Sequence, residues 1–216
     1  MKERPILFSG AMVRAILDGR KTQTRLVVKP QPPAATKAVG IYHYPSDRDV
    51  FYPCDGGSLL GGWAQPCPYG ERGDRLWVRE TWAQPAALDP GPTVYRADYP
   101  ACVPAGFDNV PPADAIAWKP SIHMPRAACR LVLEVTGVRV ERLQDITYDD
   151  AIAEGMFDPG SIRDTYPPTG ETGEQLGRRL KHPERSFALL WEELNGAGAW
   201  GANPWVWVVE FRRIDV

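Results

Sequence analysis

The sequence contains no apolar run close to the roughly 20 residues that span a bilayer, and its N-terminus lacks the charged-then-apolar pattern of a signal peptide. A membrane protein is excluded on that basis, and a cytoplasmic location is expected. The four cysteines (Cys54, Cys67, Cys102 and Cys129) form no CxxC pair. The spacing of His43, Cys54 and Cys67 matches no compact zinc pattern, so no metal and no other cofactor is expected. A strong charge of one sign is also missing. With 25 Lys and Arg against 27 Asp and Glu, the formal charge is -2. No global basic field exists to hold a phosphate backbone through counterion release.

What is present is 44% hydrophobic residues, enough for a core, interrupted by 22 Pro and 20 Gly that imply short elements and much irregular backbone. The punctuation suggests one domain over residues 1–216, with irregular insertions at about 30–72 and 85–125. Ser9 can cap a helix running to Leu17, whose Met12, Ala15 and Ile16 share a face, and Gly19 supplies the left-handed residue that ends it. An extended segment follows from Lys21 to Val28. Further strands are expected near Leu76 to Trp82, over Arg130 to Leu143 with a bulge or hairpin at Gly137, and over Trp205 to Phe211. Thr147 and Asp150 resemble a capping box opening a short helix closed by Gly155, and Phe187, Leu190, Trp191 and Leu194 mark a helix over about 183–194. Short strands and helices without a βαβ rhythm indicate an α+β fold built on a small β-barrel.

The segment Gly19-Arg20-Lys21-Thr22-Gln23-Thr24-Arg25 is similar to the glycine-lysine-threonine signature of ASCH domains, the activating-signal-cointegrator homology family within the PUA-like superfold. The resemblance continues through Gly73-Asp74 before a strand, the Thr147 to Met156 segment and the closing strand ending Val209-Glu210-Phe211. It covers about half of the chain and leaves both insertions unaccounted for; the long form resembles proteins of phage and prophage genomes. The resemblance implies a PUA-like barrel. It also implies kinship with bacterial amidohydrolases of that family that remove the acetyl group from N4-acetylcytidine. Their catalytic lysine, threonine and glutamate match Lys21, Thr24 and Glu154. Leu26 departs from the pattern, standing where related sequences tend to carry a second arginine.

Those residue types suit the chemistry. Hydrolysis of an acyl amide requires a nucleophile, a base for its proton and a donor for the leaving nitrogen. Thr24 is a candidate nucleophile through an acyl-enzyme, or it positions a water; Lys21 is a candidate base, and Glu154 an acid/base or orienting group. Taken singly, each has a plainer reading as a surface lysine, a strand threonine and a helix-end charge. Arg25, Arg79 and Trp82 are candidates for binding the base, with core packing an equal reading for Trp82. Tyr42 and Tyr44 could close over a ligand. The expected partner is a small acylated pyrimidine nucleoside. The alternative is an RNA-binding or RNA-cleaving module using Arg139, Arg142, Arg178, Arg179, Lys181, Arg212 and Arg213, interleaved with acidic residues. An accessory protein that binds host factors without catalysis is a third class. Oligomeric state is not legible.

Overall fold

The sheet follows from five strands of unequal burial. In the computed structural model, which describes residues 1–43, 48–56, 58–88, 91–156 and 182–215, β1 (Glu3–Leu7), β2 (Gln23–Val27), β5 (Arg75–Arg79), β8 (Val132–Arg142) and β9 (Trp205–Ile214) pair in the order β1-β5-β8-β9-β2. The β1–β5 pairing is parallel and the others are antiparallel.

This sheet is open, which corrects the expected PUA-like β-barrel. Closure would require β1 to pair with β2, yet these strands form the two opposite edges. The chain between them forms α1 (Gly10–Leu17) and the turn at Gly19 (φ 73°), so β2 enters on the far side, beside β9. No strand among the described residues pairs with its outer edge.

β9 lies between β8 and β2 with both faces covered. Trp205, Trp207, Val209 and Phe211 enter the main core with Leu76, Val78, Leu133 and Val135, while Val206 and Val208 enter a second cluster with Leu143, Phe187 and Trp191. Burial on both faces explains why its middle is a continuous apolar run and not an alternation. Gly137 marks a bulge: the β8–β9 register shifts between Val135 and Gly137, and β8 continues as one strand.

The expected helices form. Ser9 Oγ accepts the Met12 N–H at 3.4 Å to cap α1. Both halves of the Thr147–Asp150 capping box open α2 (Tyr148–Ala153), and Gly155 (φ 87°) follows its last turn. The third helix, α3, spans Pro183–Asn195 and turns Phe187 and Trp191 inward.

The two segments expected to be irregular hold more structure than that. The first contains a hairpin of β3 (Ala38–Tyr42) and β4 (Val50–Cys54), in which Phe51 packs edge-on against Trp207 at 4.8 Å between ring centroids. Gly40 and Pro53 obscure its alternation. The second contains a two-residue ribbon of β6 (Trp82–Ala83) with β7 (Val94–Tyr95) over a small core of Ala83, Leu88, Val94 and Ile116. Its β5 support is pinned by Glu80, fully buried, whose carboxylate accepts two bonds of 2.9 Å from Arg130. Arg130 also holds Asp98 and stacks on Tyr95. Burial raises the Glu80 pKa despite that guanidinium and pushes the Tyr95 hydroxyl up to about 12. No helix among the described residues is long and apolar enough to cross a membrane.

Candidate functional site

Lys21 precedes β2 and Glu154 follows α2, and one isolated β-bridge joins the two positions. The bridge depends on Gly155, because a Cβ there would lie 3.0 Å from the Ala15 Cβ and 3.2 Å from the Lys21 Cβ. The Lys21 Nζ donates to the Gln23 carbonyl at 2.8 Å, the Glu154 carbonyl at 3.0 Å and Glu154 Oε2 at 2.8 Å. Three oxygens match the three donors of an ammonium group. The Phe8 ring lies 5.7 Å from the same nitrogen.

Arg25 is the second cation on this carboxylate. Its Nη1 donates to Glu154 Oε1 at 3.2 Å, and its Nη2 reaches Glu141 and, at 3.2 Å, Asp150. The Lys21, Arg25 and Glu154 side chains are 1%, 0% and 3% exposed. Charges removed from water to this degree persist only when paired and hydrogen-bonded, as these are. The network extends outward through Arg139, which bonds Glu141, Asp150 and Glu210. Burial alone would raise the Asp150 pKa. The Thr147 backbone and hydroxyl, Arg25 and the Gln23 amide outweigh it and hold the carboxyl down at about 2.

A cavity of about 380 Å³ opens over this network. Four consecutive β2 residues (Thr24, Arg25, Leu26 and Val27) line it together with Glu154. Phe8 and Met12 form one wall, Leu190 and Trp191 of α3 the other, and Thr81 and Ser121 also border it. Its size falls within the range of small-molecule sites. The Thr24 hydroxyl makes no hydrogen bond to a described residue. Arg25 Nε and Trp191 Nε1 are buried donors without a partner among the described residues.

The structure therefore brings together Lys21, Thr24, Arg25 and Glu154, with Thr24 and Glu154 on the cavity and Lys21 behind Glu154. Arg79 and Trp82 are not among the lining residues. Arg79 donates to the Ile122 carbonyl and stacks on Trp77, while Trp82 packs on Met124 and Ala128 beneath Lys119. Tyr42 lies on β3, also away from the cavity. Of the residues offered for an RNA surface, Arg139 and Arg212 are engaged by acidic side chains, Arg213 lies 3.9 Å from Asp215, and Arg142 lies over Trp205. Tyr44, Arg178, Arg179 and Lys181 lie outside the described residues.

The sequence did not single out Gln23, Asp150, Glu141 or Arg139 as a network. Alternation along β2, which puts Gln23 and Arg25 on one face, was the available signal for the first. The α3 wall was legible only as a buried stripe.

No family model, curated protein or solved structure matches the chain. The likeness to ASCH domains therefore rests on the motif residues themselves, and the barrel that it implied gives way to the open sheet. A PUA-like fold, hydrolase activity and N4-acetylcytidine as substrate, all implied by that resemblance, gain no support from any relative.

Proposed function

We propose that the protein hydrolyses an acyl amide on the exocyclic amine of a cytosine nucleoside, N4-acetylcytidine or a close relative. The observation that carries this reading is the convergence of Thr24 and Glu154 on one cavity, with Lys21 bonded directly to Glu154 at 2.8 Å. Thr24, whose hydroxyl makes no hydrogen bond to a described residue, lines the same space as Glu154, a carboxylate whose position is set by two cations.

In the proposed reaction the Thr24 oxygen attacks the acyl carbon and its proton passes to Glu154. An ionised carboxylate offers about four acceptor positions, of which Lys21 and Arg25 use two. The tetrahedral centre collapses by breaking its bond to the exocyclic nitrogen, which takes the proton from Glu154 and leaves as the free amine. Water, deprotonated by the same carboxylate, then cleaves the threonine ester and restores the hydroxyl. Lys21 was expected to serve as the base, but its three donors are directed at oxygens. In this geometry it orients Glu154 from behind the cavity.

The test incubates purified protein with N4-acetylcytidine and follows loss of the acylamide chromophore, beside Lys21→Ala, Thr24→Ala and Glu154→Ala. Turnover by the wild type and loss of roughly 10³-fold or more in the Thr24 variant are expected. Absence of wild-type turnover, or turnover surviving in all three variants, refutes the proposal.

A further inference from the structure

The outer edge of β2 forms the floor of the cavity, and hydrogen-bond parity determines what that floor presents. Phe211 N–H donates to the Thr22 carbonyl at 2.8 Å, and Val28 N–H to the Trp205 carbonyl at 3.0 Å. In an antiparallel pair these bonded positions alternate with positions whose main-chain groups point away from the partner. The even residues of β2 therefore bond β9, while Gln23, Arg25 and Val27 direct their N–H and C=O groups outward. Lys21 Nζ occupies the Gln23 carbonyl. No described residue bonds the Arg25 or Val27 main-chain groups.

A strand seen face-on would contribute alternate residues to a cavity. Here Thr24 to Val27 all contribute, as a strand met along its edge must. The floor is therefore polar main chain, set between the Phe8 ring and the α3 wall. Counting from the Glu154 end, its free groups read donor and acceptor at Arg25, then donor and acceptor at Val27.

We propose that this edge reads the base: the Arg25 carbonyl accepts the exocyclic N–H of an N4-acylated cytosine, and the Val27 N–H donates to the ring O2. The inference rests on the amidohydrolase reading and extends it to substrate choice. Roughly 7 Å separate the Arg25 and Val27 N–H groups, two strand rises, with the Arg25 carbonyl between them. The shorter carbonyl-to-amide step corresponds to the two outer positions of a pyrimidine's hydrogen-bonding edge. The order also matters. An acceptor nearer Thr24 and a donor farther away place the acyl-bearing nitrogen at the reactive end, whereas the reversed base would set two acceptors against each other. A 4-oxo pyrimidine, carrying no N–H at that position, loses the first bond.

Proline provides the test, because it deletes one N–H and is tolerated on an edge strand where that group is outside the ladder. Wild type, Val27→Ala and Val27→Pro are assayed with N4-acetylcytidine and with its 2-thio analogue, a weaker acceptor. Wild type and Val27→Ala are expected to favour the oxo substrate by roughly tenfold in kcat/KM, the size of one hydrogen bond. Val27→Pro is expected to raise KM with little change in kcat and to bring the oxo/thio ratio close to one, while its melting temperature stays near that of Val27→Ala. Leu26→Pro, which removes a ladder N–H, should unfold. A Val27→Pro enzyme that keeps the wild-type ratio overturns the edge inference and leaves the amidohydrolase reading intact. An oxo/thio ratio near one in wild type does the same without depending on any variant. A wild type that turns over neither substrate overturns both.

Discussion

Substituting Glu154 by Gln tests the buried charge network at its centre. The change keeps the shape of the side chain but removes the charge that Lys21 and Arg25 share. Arg25 retains Glu141 and Asp150. Lys21 retains only neutral oxygens, with its side chain 1% exposed. Removing one partner of a buried ion pair costs about 3–5 kcal/mol, because the remaining charge is neither solvated nor compensated. For a chain of this size each kcal/mol lowers the melting temperature by about 2–4 °C, so a fall of roughly 6–20 °C is expected. Thermal unfolding followed by circular dichroism, with urea titration for the free energy, measures it. The double variant Lys21→Met/Glu154→Gln should be more stable than Glu154→Gln alone, since the orphaned charge is gone and the methionine fits beside Phe8. A single variant within about 1 kcal/mol of wild type would refute the reasoning, as would a double variant less stable than the single one.

Three further outcomes follow from the same geometry. Thr24→Ala should abolish turnover while leaving the unfolding free energy within about 1 kcal/mol of wild type, because the hydroxyl makes no hydrogen bond to a described residue; Thr24→Ser should restore part of the rate. Gly155→Ala should destabilise by about 1–2 kcal/mol from its left-handed backbone alone, and its Cβ would press on Ala15 and Lys21, so turnover should fall even in the folded fraction. Asp150, held down at about 2, contributes stability that is complete above its unfolded pKa of about 3.9 and is lost as the pH falls through its folded value. Acid unfolding of wild type should therefore steepen between about pH 4 and 2, and Asp150→Asn should flatten the profile there.

Local chemistry made much of the chain legible from sequence. The cap at Ser9, the capping box at Thr147 and Asp150 and the left-handed turns at Gly19 and Gly155 all depend on neighbours a few residues away, whereas the choice between bulge and hairpin at Gly137 waited on the pairing with β9. The β3–β4 hairpin escaped because Gly40 and Pro53 are poor strand formers stabilised there by packing on the core. Arg79 and Trp82 illustrate the converse. Their types suit a nucleobase pocket, but type carries no direction, and the end of β5 and the ribbon after it place them away from the cavity.

By itself the sequence determined which residues could carry acyl-transfer chemistry and which turns bring the chain to them, since these are properties of side-chain type and local backbone preference. Tertiary structure alone decided that the sheet stays open, because strand order is set by long-range pairing and not by periodicity. It also decided that Lys21 and Glu154, 133 positions apart, share a buried bond. That same openness sets four consecutive β2 residues, Thr24 to Val27, along a cavity, a feature no side-chain pattern encodes.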